Sequence, residues 1–189
     1  TDQLEEFEMK LDDEADAGTY EFFDMSLTLL EKGLDKTEGY FKYILSKPFD
    51  FSIDEAIDLS DDKKPFAKND VELKENWRKY LKRETLTRLV DDLESQEEGK
   101  DEELKGKSFA DLEQKAREEV LGVFKKWYTR MRKSKRADRL SNYLNAIANV
   151  YDPHTGYYKP RDKENFDIRM SKTLEGIGAQ LRAEEEYTR

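Results

Sequence analysis

Residues 108–133 read SFADLEQKAREEVLGVFKKWYTRMRK, and this stretch decides the fold class. Its apolar side chains recur every three or four residues, which places them on one face of a long α-helix. Ser108 and Asp111 have the spacing of a capping box, in which side chains satisfy the free N–H groups of a first helical turn. The apolar face consists of Leu112, Ala116, Val120, Phe124, Trp127 and Met131.

Apolar periodicity also predicts helices upstream of this stretch. Residues 19–32 are expected to form a helix that ends at Gly33, because glycine is a common residue just after a helix. A second apolar cluster over 40–45 ends before Pro48, whose ring cannot continue a helix. A serine followed three residues later by glutamate predicts a further short helix over 54–58.

The rest of the chain is predicted to be helical as well, up to a change of character near residue 160. A long helix is expected to start near Asp70 and to break within the charged run 94–106. Another helix is predicted over 138–151, and a short one over 162–169. Apolar residues then alternate over 177–181, as they do in a β-strand. The predicted fold class is mainly α, with about five to six helices and a short C-terminal β-strand segment.

Composition and charge exclude several classes of protein. No apolar run approaches the roughly 18 residues that a transmembrane helix needs. The absence of cysteine excludes disulfides, thiolate zinc sites and a cysteine nucleophile within this sequence. The net charge is −10, but it is unevenly placed: residues 1–24 hold ten acidic residues and one lysine, whereas residues 115–139 hold ten basic and three acidic residues. Either end of this asymmetry can serve as a partner surface.

Catalytic and metal-binding signatures are weak, so we assign no catalytic residue, no metal ligand and no cofactor. None of the nine serines lies in a Gly-x-Ser-x-Gly elbow. His154 is the only histidine, and it lies in a predicted turn, Asp152-Pro153-His154-Thr155-Gly156. Gly176, Ile177 and Gly178 precede the predicted strand, where free backbone N–H groups can hold a peptide C-terminal carboxylate.

Several motifs resemble a known family. The sequences DPHTGYYKPR at 152–161 and LEGIGA at 174–179 resemble the segment that leads into the PDZ domain of C-terminal-processing, or tail-specific, serine proteases. The sequence PFDFSIDE at 48–55, followed by Glu72-Leu73 and by 77–79, resembles the helical domain that precedes PDZ in the periplasmic branch. The resemblance covers most of the chain from Leu45 to Leu181.

The resemblance implies a domain organisation and a function. Residues 1–160 would form an N-terminal helical domain, and residues 161–189 a connector with the first strand of a truncated PDZ domain, joined through the turn at 152–155. The parent would be a bacterial periplasmic endopeptidase, which can be membrane-associated, with a serine-lysine dyad downstream of this sequence. Protein substrates and an adaptor would be its partners, and this fragment would be an inactive scaffold, gate or docking domain.

Two rival interpretations come from the residues themselves. A standalone helical adaptor could bind a protein partner through the acidic N-terminal end or through the basic residues of 115–139. A nucleic-acid-binding domain could use the same basic residues, but their aromatic neighbours continue the apolar face of a helix and the chain is acidic, so we expect no nucleic-acid partner. An isolated strand at 177–181 would have unpaired backbone groups, which predicts self-association through that strand.

Overall fold

The computed structural model describes residue 14, residues 17–58 and 66–171, and the backbone of 183–184 and 187–188. Five α-helices and one short 3-10 helix in this part of the chain confirm the predicted mainly helical fold. They are α1 (Glu21–Leu45), α2 (Asp70–Glu97), the 3-10 helix (Glu102–Leu104), α3 (Phe109–Lys133), α4 (Arg136–Tyr151) and α5 (Pro160–Ser171). The chain divides into two compact units, residues 1–134 and 135–189. The domain boundary predicted after residue 160 stays a prediction.

Two very short strands follow the last helix. Strand β1 (Ala183–Glu184) pairs in antiparallel fashion with β2 (Tyr187–Thr188). The strand predicted over 177–181 lies outside the described residues, as do Gly176, Ile177 and Gly178. The predicted PDZ strand therefore stays a prediction.

Helix α1 runs without interruption through the position where the sequence predicts an end. Gly33 lies inside the helix, so the expectation of two separate segments is wrong. Leu34 and Phe41 are both buried on the face that packs against α2 and α3, and this burial outweighs the weak helix propensity of one glycine. The helix does end before Pro48, where the N–H groups of Ser46 and Lys47 bond back to the last turn.

The short helix predicted over 54–58 does not form. Residues 54–58 have no regular secondary structure, and Ser52 donates its N–H and hydroxyl to Asp50 instead of capping a helix. The Glu55 carboxylate, the second half of the expected capping box, accepts hydrogen bonds from Arg78 and Lys82 of α2. Contacts to a distant helix have therefore replaced the local contacts on which the prediction depended.

Side-chain caps define where α2 and α3 begin. Asn69 accepts a hydrogen bond from the N–H of Glu72 at 2.9 Å and so caps α2. Ser108 and Asp111 form the predicted capping box of α3, in which each side chain accepts the backbone N–H of the other residue. These bonds satisfy donors that a helix start otherwise leaves unpaired.

The main core of the first unit is an aromatic cluster between α1, α2 and α3. Phe41 is fully buried, and its ring centroid lies 4.9 Å from that of Tyr128 and 5.6 Å from that of Phe124. Trp77 of α2 packs edge-on against Phe124 at 5.6 Å. The Tyr128 hydroxyl donates to the Thr37 hydroxyl at 2.6 Å, which satisfies the one polar atom of this buried ring. Burying one such ring contributes about 2 to 3 kcal/mol, so this cluster holds the three helices together.

A second, smaller cluster lies further along α2 and α3. Leu89, Leu104, Leu112 and Ala116 are each at most 1% exposed. Leu104 belongs to the 3-10 helix, which lies in the charged run 94–106 where the sequence predicts a break in the helix. This run therefore contributes one buried side chain to the core. Among the described residues, no helix combines the length and the apolar content that crossing a membrane requires.

The second unit contains α4 and α5, joined by residues 152–159. Asn145 of α4 accepts the N–H of Tyr157 at 2.6 Å and donates to the carbonyl of the same residue at 3.0 Å. Lys159 forms an ion pair with Asp138 in the first turn of α4. The Tyr158 and Phe166 rings pack 5.3 Å apart. These contacts fix the path of the connecting segment within this unit.

Candidate functional site

The residues predicted at the domain junction form a turn in the second unit. Asp152 accepts hydrogen bonds from the His154 N–H at 2.9 Å and from the Thr155 hydroxyl at 2.7 Å. Both bonds favour the charged carboxylate, so they hold the pKa of Asp152 below its usual value, the Thr155 hydroxyl contributing most. Pro153 and His154 occupy the tip, and the His154 side chain is 91% exposed. These contacts are local, and a role for 152–155 as a domain junction stays a prediction.

The hydroxyl groups of four serines serve local structure. Ser26 and Ser46 donate to carbonyls of their own helix. Ser52 and Ser108 donate to the side chains of Asp50 and Asp111. Within the described residues, no three His, Asp or Glu side chains come together as a metal site would require.

The first unit has an open groove on its surface, which we call the α1–α2 groove. It lies between the end of α1, the connector that follows it and the start of α2, and it has a volume of about 920 Å³. This size lies in the range of sites that bind small molecules or short peptide segments. Its lining residues are Tyr40, Tyr43, Ile44, Lys47, Pro48, Phe49, Asp70, Val71, Lys74, Glu75 and Arg78.

Two lysines flank an exposed tyrosine in the α1–α2 groove. The Lys47 ammonium lies 4.4 Å from the centre of the Tyr43 ring and donates to the Tyr43 hydroxyl at 2.7 Å. Lys74, from α2, lies 4.7 Å from the same ring and 6.0 Å from the ring of Tyr40. The hydrogen bond from Lys47 and the charges of both lysines lower the pKa of Tyr43. The arrangement presents two cations on an aromatic surface.

The acidic residues of the groove are already engaged by other cations. Asp70 forms an ion pair with Lys36 at 2.8 Å. Glu75 binds Arg78 at 2.6 Å, and Arg78 also pairs with Glu55. These two carboxylates hold the pKa of Arg78 above its ordinary value, Glu75 contributing most.

A buried ion pair fixes the end of the groove where α1 stops. Glu113 of α3 is 4% exposed and accepts the N–H of Phe49 at 3.1 Å. Arg117 binds the same carboxylate at 2.8 and 2.9 Å and donates to the Leu45 carbonyl at 2.9 Å. The pair thereby satisfies one backbone acceptor before Pro48 and one backbone donor after it. It determines the direction in which the connector leaves α1.

A second polar cluster holds the following segment against α2. Glu55 accepts from Lys82 at 2.6 Å and from Arg78, and these bonds, with Arg78 contributing most, lower its pKa to about 2. Lys82 also donates to the Ile53 carbonyl at 3.2 Å. Its side chain is only 8% exposed, so Glu55 is the counter-charge that makes its burial tolerable.

Sequence reasoning did not single out the lysines and the tyrosine of the groove. The spacing of Tyr43 and Lys47 places them one helical turn apart, and this pair was detectable in principle. Lys74 is distant from both in sequence, and only the packing of α2 against α1 brings it to the same ring.

Comparison with known proteins places this chain in a family. The sequence profile described as "Tail specific protease N-terminal domain" matches residues 1–161. The chain belongs to this family. A curated "Tail-specific protease" of Haemophilus influenzae is 40% identical over 57 residues. That match covers 30% of this chain and 8% of the relative, so it spans only a small part of that protein's length. The resemblance stated from the sequence motifs is thereby confirmed at the level of the family.

Proposed function

We propose that this chain is a non-catalytic domain of a bacterial tail-specific serine endopeptidase and that it serves as a scaffold and docking surface. The family match over residues 1–161 carries the proposal. The parent enzyme is proposed to act in the periplasm, to recognise the C-termini of its substrates through a PDZ domain, and to cleave with a serine-lysine dyad. The serine-lysine dyad is not assigned to residues of this chain, and only the first strand of the PDZ domain is predicted within it, in residues 161–189.

The physical properties of the first unit support a scaffolding role. Its three long helices share an aromatic core, and its buried ion pairs hold Phe49, Ile53 and Glu55 of the segment after α1 against α2 and α3. The Ser52 and Ser108 hydroxyls are bound to carboxylates in local turn and cap interactions, and His154 is exposed in a turn. A packed helical body with a surface groove can present a binding surface to a partner.

Reading the gene beyond the codon for Arg189 tests this proposal. We expect the reading frame to continue through the rest of a PDZ domain into a segment with catalytic serine and lysine residues. A stop codon directly after Arg189 would instead favour the standalone helical adaptor. The full-length product should cleave proteins with apolar C-terminal tails, and replacement of its catalytic serine by alanine should abolish cleavage.

A further inference from the structure

We propose that the α1–α2 groove binds an acidic peptide segment of a partner protein, in which carboxylate side chains flank an apolar residue. The inference rests on the proposed docking role, since it names the chemistry of the partner and the residues that would contact it. The groove belongs wholly to the first unit, so its geometry is defined by α1, α2 and the connector between them.

Two apolar side chains that line the groove are exposed to water. Val71 of α2 is 80% exposed and Tyr43 of α1 is 52% exposed, and both line the same cavity. Ile44 lies buried at the base, and the Pro48 ring belongs to the connector wall. An apolar side chain that entered between these walls would remove Val71 and Tyr43 from water, which favours binding.

The charges that line the groove favour a negatively charged partner. Lys47 and Lys74 point at one tyrosine ring, and among the described residues no carboxylate lies within ion-pair distance of either ammonium. The two carboxylates of the lining, Asp70 and Glu75, are each bound to a cation. The groove is therefore locally positive on a chain of net charge −10. A peptide with carboxylates on either side of an apolar residue would pair with both lysines, whereas a basic peptide would be repelled.

A fluorescently labelled peptide tests this proposal directly. The probe is a short peptide of glutamates around a central leucine and phenylalanine, with its N-terminus acylated by the label and its C-terminus amidated. We expect saturable binding to the 189-residue chain, measured by fluorescence anisotropy, and weaker binding at high salt. The double variant Lys47→Gln/Lys74→Gln should bind about tenfold more weakly, because it removes both cations that face the ligand. Val71→Asp should weaken binding further, by repelling the glutamates and by removing an apolar wall.

The matched control is Lys32→Gln/Lys125→Gln, which removes two exposed lysines that do not line the groove. It should bind the peptide as the unmodified chain does. Circular dichroism and the urea midpoint should be unchanged in all variants, because Lys47, Lys74 and Val71 are exposed.

Four results would overturn the inference. They are the absence of binding to the unmodified chain, equal loss in the control and groove variants, equal binding of a peptide with glutamine in place of glutamate, and binding that requires a free C-terminal carboxylate. Should Lys47→Gln/Lys74→Gln alter the fold, Val71→Asp decides the question alone. None of these results bears on whether the gene continues into a protease core, so failure here is distinct from failure of the proposed function.

Discussion

Replacing Glu113 by glutamine probes the ion pair that connects α1, the connector and α3. Glutamine keeps the size of the side chain, and its carbonyl can still accept the Phe49 N–H. It loses the charge that Arg117 binds through two contacts of 2.8 and 2.9 Å. The Arg117 side chain is 12% exposed, so its guanidinium would lose its counter-charge in a largely dehydrated position and keep neutral acceptors only, the Leu45 carbonyl and the glutamine carbonyl.

The expected cost follows from these contacts. A hydrogen bond to a charged group contributes about 1.5 to 3 kcal/mol, and breaking a buried pair costs about 3 to 5 kcal/mol. Because the glutamine carbonyl replaces part of the lost acceptor, we expect Glu113→Gln to lower the free energy of unfolding by about 2 to 3 kcal/mol. With a urea dependence of about 2 kcal/mol per molar, the unfolding midpoint should fall by about 1 to 1.5 M.

Tryptophan fluorescence during urea unfolding measures this change in the correct part of the chain. Trp77 and Trp127 are the only tryptophans, and both belong to the first unit. Glu118→Gln is the matched control, because Glu118 lies on the same helix but is exposed and contacts Gln114. It should change stability by less than about 0.5 kcal/mol. Equal midpoints for Glu113→Gln and Glu118→Gln would refute the role assigned to the pair.

Three further predictions concern stability and charge. The pKa of Glu55 is lowered to about 2, so the stabilising contribution of its carboxylate should be complete above about pH 4.5 and lost as the pH falls toward 2. Glu55→Gln should therefore flatten the dependence of the unfolding free energy on pH between these values. An unchanged slope would contradict this prediction. Thr85 is fully buried and its hydroxyl has no hydrogen-bond partner among the described atoms, so Thr85→Val should raise the unfolding free energy by about 1 kcal/mol. A decrease of the unfolding free energy in urea titrations would contradict this prediction. Gly33→Ala should stabilise the chain by about 0.5 to 1 kcal/mol, because Gly33 lies inside a helix and an added Cβ meets nothing within 4 Å. Gly99→Ala should destabilise the chain, because Gly99 has a φ of 65°, a left-handed backbone conformation that favours glycine. Thermal unfolding followed by circular dichroism distinguishes the two variants.

The sequence predicts the helical elements best where their signals are local. The capping box of Ser108 and Asp111 and the apolar face that follows involve residues within a few turns of each other. The structure contains the capping box and most of that face, but Trp127 is 41% exposed and Tyr128 is buried in its place. The same reasoning fails at Gly33, because burial of Leu34 and Phe41 against other helices compensates a local stop signal. Local helix propensity does not predict a core that forms between segments distant in the sequence.

The candidate site depends on such distant contacts, which explains why the sequence does not reveal it. From the sequence, Glu55 is predicted to belong to a capping box. In the structure its carboxylate instead binds Arg78 and Lys82, which are more than twenty residues away in the sequence. The cations around Tyr43 come from the segment directly after α1 and from α2, and their convergence requires the packing of α2 on α1. The motifs at 48–55 and 152–161, by contrast, can be read directly from the order of residues, and both lie within the family match.

The proposed function is that this chain positions other molecules and performs no cleavage itself. Intact-mass spectrometry of a model protein with an apolar C-terminal tail, incubated with the purified 189-residue chain, is a direct test of that function. We expect the mass of the model protein to stay unchanged, while the full-length parent enzyme produces shorter fragments under the same conditions. Cleavage that stays with the 189-residue chain through a second purification would contradict the claim.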